Sequence, residues 1–106
     1  MNYELWKKVF TYTNNIKYPL NNNVYMSDKV LKKRVMQNFV VNKFLCRWID
    51  HNQDDPIDIL DDMLLNYYMW GNDAIEKNNQ DLIRIYDIYT KTLISIKKFI
   101  EKEMKL

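Results

Sequence analysis

With 106 residues, one Gly, two Pro and one Cys, the chain is long enough to bury a core as one domain over residues 1–106. It lacks the turn residues that a sheet demands and the second cysteine that an internal disulfide demands. The net charge of +2 averages over three blocks: residues 1–49 hold nine Lys or Arg against two acids, 50–76 hold eight acids and no Lys or Arg, and 77–106 hold seven Lys or Arg against four acids.

Abundant Leu, Ile, Met and Lys with scarce Gly and Pro predicts an all-α protein. The first helix is expected from Asn2 to about Thr13, where Leu5, Trp6, Val9 and Phe10 fall at helical spacing and mark one buried stripe. Asn14-Asn15 and then Tyr18-Pro19-Leu20 with Asn21 to Asn23 read as a loop, because Pro19 disfavours a helical residue before it and Asn tolerates turn geometry. Ser27 has the character of an N-cap, with Asp28 at the positive end of the helix dipole.

A long second helix follows from about Asp28 to Asp50. Leu31, Val35, Phe39, Leu45, Cys46 and Ile49 lie on one side, and Val40, Val41, Phe44 and Trp48 on others. A helix apolar on most sides is expected at the centre of the domain. Asp55-Pro56 then signals a third helix, Asp as N-cap and Pro at the first helical position, burying Ile57, Leu60, Leu64 and Tyr67 or Tyr68. The single glycine, Gly71, is expected to end that helix, with Asp73 and Glu76 as a capping box for the next; the alternative is an uninterrupted helix, since a mid-helix Gly costs only about 1 kcal/mol relative to Ala. The last helix is expected from Ala74, or from Gln80 if Asn78-Asn79 interrupts it, to about Glu103. Its Leu82, Tyr86, Tyr89, Leu93, Ile96 and Ile100 alternate four and three apart, the seam of a helix packed lengthwise on a neighbour or on a second copy of the chain. The expected fold is an antiparallel four-helix bundle with a long central helix, or five helices if the last is split.

No residues are singled out as catalytic. Asp58-x-x-Asp61 and Asp73-x-x-Glu76 place paired carboxylates on a helix face, an arrangement that can hold Mg²⁺ or Mn²⁺, but capping accounts for most of them. Cys46 and His51 lack the paired ligands of a zinc site, and no glycine elbow or phosphate loop accompanies the lone His. The expectation is a protein without enzymatic activity, metal or cofactor. A lone Cys and a start without a charged-then-apolar leader point to the cytoplasm. No apolar run approaches the roughly 18 residues of a membrane span. Lys outnumbers Arg thirteen to three and Asn, Ile and Tyr are abundant, a bias associated with A/T-rich codons and hence with low-GC bacteria or their mobile elements.

Two surfaces compete as binding sites. The acidic block sets Asp54, Asp55, Asp58, Asp61 and Asp62 beside Tyr68 and Trp70. Four large residues in a row, Tyr67 to Trp70, point in every direction around a helix, so one or two are expected to be exposed. Acid beside exposed aromatics suits docking on a protein with a basic, nucleic-acid-binding surface. The basic cluster Lys29, Lys32, Lys33 and Arg34 instead suits phosphate contact, which makes a nucleic-acid-binding or nucleoprotein-assembly subunit the alternative. Small helical inhibitors, among them phage proteins that block host defence nucleases and immunity proteins that block toxins, resemble this chain in size and composition, while no motif places it among them.

Overall fold

The computed structural model describes residues 2–17 and 28–105. Four helices lie among them: α1 (Tyr3–Lys17), α2 (Asp28–Asp50), α3 (Pro56–Glu76) and α4 (Gln80–Met104). The loop expected over residues 18–23 and the expected Ser27 cap lie outside the described residues.

α1 begins where Asn2 Oδ1 accepts from the Leu5 amide at 3.1 Å. It does not stop at Thr13. Asn14 and Asn15 are helical because the stripe continues past them: Val9 and Thr13 are buried, and the Thr13 hydroxyl donates to the Phe10 carbonyl at 2.9 Å. Tyr12, one turn on from Lys8, stacks on Phe99 of α4 with centroids 4.2 Å apart. That contact recovers more than the weak helix propensity of the two asparagines loses. Phe10, expected inside, is exposed and stacks on Trp6.

α2 spans the expected residues, but it is not enclosed on most sides. Val40, Val41, Phe44, Leu45 and Trp48 form its buried face. Leu31, Val35, Phe39, Cys46 and Ile49, expected on a buried side, are exposed. Four helices cannot surround one of their own number, so the side of α2 away from the others stays open.

α3 starts as expected: Asp55 is extended (φ −67°, ψ 130°), its Oδ1 accepts from the Ile57 amide at 2.8 Å, and Pro56 occupies the first helical position. The expected break at Gly71 does not occur. α3 runs through it to Glu76, and Asp73 and Glu76 are helix-surface residues, not caps. The stop lies at Asn78, whose φ of 53° is left-handed. There the Asn78 amide donates to the Ile75 carbonyl at 3.0 Å and the Asn79 amide to the Ala74 carbonyl at 2.9 Å. These are the paired bonds that close a helix over a left-handed residue, a position Asn tolerates nearly as well as Gly. Asn79 then caps α4, its Oδ1 accepting from the Leu82 amide at 3.2 Å.

α4 turns its expected seam inward. Tyr89, Leu93, Ile96 and Ile100 are buried against the rest of the same chain, with Leu82 more open at the helix start. These apolar side chains already have intramolecular partners. The helices alternate in direction. From the ends toward the middle, α2 and α3 meet through Arg47 with Asp62 and then Lys43 with Tyr67. α3 and α4 meet through Asp61 with Lys97, Tyr67 with Tyr89 and Trp70 with Tyr86. α1 and α4 meet through Lys8 with Glu103 and Tyr12 with Phe99. α2 and α4 form the close diagonal, while α1 makes no comparable approach to α3 among the described residues. The result is an all-α four-helix bundle with its core where α2, α3 and α4 converge.

Candidate protein-interaction surface

The outer face of α3 carries most of the acidic block. Counting 100° per residue, the buried side holds Ile59, Leu60, Met63, Leu64, Tyr67 and Ala74, so Asp58, Asp62, Leu65, Met69 and Glu76 project straight away from the core. Asp61, Tyr68 and Ile75 stand on the edge that faces α4, and Asp62 leans toward α2.

The acidic residues have different local duties. Asp61 is held by Lys97 Nζ at 2.7 Å and Asp62 by Arg47 Nη2 at 2.6 Å, so two of the five candidate aspartates are neutralised within the chain. The hydrogen bond to Asp61 raises the Lys97 ammonium above its ordinary value, outweighing the opposing effect of burial. Asp55 caps α3. Asp54 lies 3.9 Å from His51 Nδ1, a contact that is ionic only when the imidazole is protonated. Asp58 projects from the first turn, where its charge suits the helix dipole. Asp73 is paired with Lys77 one turn on, at 3.0 Å and in the open.

Of the four consecutive large residues, one is inside. Tyr67 is buried and packs against Trp70, Tyr86 and Tyr89, with ring centroids 5.1 to 6.0 Å away. Burial, and then the neighbouring phenols of Tyr89 and Tyr86, push its hydroxyl pKa up. Tyr68 is 48% exposed, Met69 60% and Trp70 46%. The same helix adds Leu65 at 58% and Ile75 at 60%, two residues that composition alone did not single out. Helical geometry could have found them: once Tyr67 is taken as the inward residue, Leu65 and Ile75 fall on the outer half of α3. Leu65, Tyr68, Met69 and Ile75 thus share one side, and Trp70 emerges at the other edge over Tyr67 and Tyr86. Leu65 and Tyr68 also line a shallow groove with Ile94, Lys97 and Lys98 of α4.

The basic candidates sit at the start of α2. Lys29, Lys32 and Lys33 are exposed and Arg34 is half-buried, with the exposed apolar side chains of Val30, Leu31 and Val35 between them. Among the described residues no three His, Cys, Asp or Glu side chains converge so as to hold a metal ion. No described helix is long and apolar enough to cross a membrane.

Fold and surface together define a helical bundle with an open apolar and acidic helix face. The chain matches no known family, no curated protein and no solved structure.

Proposed function

We propose that the protein is a non-enzymatic interaction module that docks the outer face of α3 on another protein with a basic surface and thereby inhibits or regulates it, as phage anti-defence and immunity proteins do. The observation that carries the reading is that Leu65, Tyr68, Met69 and Ile75 stand 48% to 60% exposed on one side of a single helix. Scattered apolar residues on a surface need no explanation, but four on one helix face form a contiguous patch of the kind that marks a binding site. Aromatic and Met side chains supply contact area at its centre, and Asp54, Asp58 and Glu76 supply the charge at its ends that steers a cationic partner. Because Asp61 and Asp62 are engaged by Lys97 and Arg47, they contribute less to that field than their number suggests.

The test uses substitutions that spare the internal ion pairs. Leu65→Lys with Met69→Lys, and separately Asp58→Lys, should abolish or weaken at least tenfold the capture of a partner from a host lysate while the helical circular dichroism is retained. Capture by both variants at the wild-type level would overturn the proposal. The nucleic-acid alternative is less well supported, because the exposed Leu31 and Val35 flank Lys32 and confine the cationic surface to one narrow side of the α2 start. It predicts a gel shift at low salt that Lys32→Glu with Lys33→Glu removes.

A further inference from the structure

A second apolar face, on α2, lies on the side of the molecule away from the core and has no role in the reading above. Leu31, Val35, Phe39, Asn42, Cys46 and Ile49 are four, four, three, four and three residues apart, so they line one continuous stripe about 27 Å long. Leu31, Val35, Phe39 and Ile49 are between 43% and 60% exposed, and Asn42 and Cys46 are exposed as well. Steps of three and four are the spacing that keeps a seam facing another helix along its whole length. The buried face of α2, through Val40, Phe44 and Trp48, already serves the bundle; Phe39 joins it at one edge, its ring stacked on Tyr89 at 5.7 Å, and the exposed remainder of the stripe is surplus to folding.

We infer that this stripe is a self-association face, on which α2 of a second copy lies antiparallel about a two-fold axis at Asn42. The stripe is self-complementary. Pairing Asn42 with its own copy sets Val35 against Ile49 and Phe39 against Cys46 along the seam, so apolar meets apolar on both sides of the centre. In an antiparallel pair related by a two-fold axis, the same flank of each helix meets its counterpart. On one flank stand Lys32, 280° around the helix from Val40, and Asp50, at the same angle eighteen residues on. Antiparallel pairing brings Lys32 of each copy near Asp50 of the other. Parallel pairing would instead keep the two basic helix starts at one end, with Lys32 eighteen residues away from Asp50, and so forms no such pair. Lys43, the cation nearest the axis on that flank, is drawn aside over the ring of Tyr67, 5.9 Å from its centroid. Asn42, bonded to Asn38 at 3.3 Å, puts a polar side chain at the centre of an apolar seam, where pairing with its own copy sets polar against polar and a slipped register sets it against apolar groups.

Sedimentation and light scattering on the full chain test the proposal. Wild type should show twice the 13.0 kDa of one chain at about 100 µM and dissociate on dilution. Val35→Lys with Ile49→Lys, both at exposed positions, should give the single-chain mass at that concentration with an unchanged helical spectrum. Lys32→Glu and Asp50→Lys should each raise the dissociation constant about fivefold, and the two together should restore it. A single-chain mass for wild type overturns the proposal, as does a dimer indifferent to the Val35 and Ile49 substitutions. A dimer that the stripe substitutions disrupt but the double charge swap fails to restore overturns the antiparallel arrangement. None of these results bears on capture through α3, which uses other residues.

Discussion

The phenol of Tyr67 is buried among Trp70, Tyr86 and Tyr89, and its hydroxyl meets no hydrogen-bond partner among the described residues. A buried hydroxyl without a partner costs about 1 to 3 kcal/mol in lost hydration, while the ring itself contributes apolar contact. Tyr67→Phe keeps the ring and removes the orphan, so it should stabilise the protein by about 1 kcal/mol and raise the melting temperature by a few degrees. Thermal unfolding followed by circular dichroism checks this, and a lower melting temperature would show that the hydroxyl is served after all. That one of the residues from Tyr67 to Trp70 must be inside was legible, because four consecutive side chains cannot share a face. Which one was not, because the choice is made by where Tyr86 and Tyr89 of α4 arrive, and that depends on a helix crossing that no local pattern encodes.

The boundary between α3 and α4 shows how two readings of the same turn residues separate. Gly71 was the natural stop on propensity, yet its backbone is helical, and the left-handed position falls to Asn78. A Cβ built at Gly71 would lie 3.7 Å from Tyr86 Cβ, an ordinary van der Waals distance. Gly71→Ala therefore meets no clash, restrains the unfolded chain and should stabilise by up to about 1 kcal/mol, read as a higher urea midpoint with an unchanged slope. Destabilisation would mean that α3 and α4 need a closer approach than this geometry shows. Asn78-Asn79 was a visible interruption and Asp55-Pro56 a visible start, because caps act through side chains within a turn of the backbone they serve. The length of α1 was not visible, since the contact of Tyr12 on Phe99 that prolongs it joins residues far apart in sequence.

Charge segregation holds for the molecule as a whole, but its effect on the surface is moderated by pairing between helices. Arg47 with Asp62 ties α2 to α3, and Lys97 with Asp61 ties α3 to α4. Exposed pairs of this kind contribute about 0 to 1 kcal/mol each, so they align helices that the core already holds together more than they stabilise them. The blocks were readable from residue order, but the pairs were not, because they require the register of antiparallel neighbours. Three groups at the α3–α4 contact have shifted titrations, all at high pH. Tyr67 and Tyr89 are held above the ordinary 10.0, first by burial, and Lys97 above 10.5, first by its hydrogen bond to Asp61. All three keep their protons longer folded than unfolded. Their contribution is complete below the unfolded values and is lost as pH rises from about 10 through the folded ones. Urea unfolding should therefore be unchanged up to about pH 9 and shift to lower midpoints by about pH 11, with a smaller shift for Tyr67→Phe. A midpoint that rises over that interval would contradict the sign.

α1 rests on α2 and α4 and makes no comparable approach to α3, whereas α2, α3 and α4 each approach the other two. The three later helices thus form a mutually braced unit, and the first closes over one side of it. Opening of that first helix breaks two seams while three survive, so its amides should exchange with solvent deuterium through a partial excursion that costs less than complete unfolding.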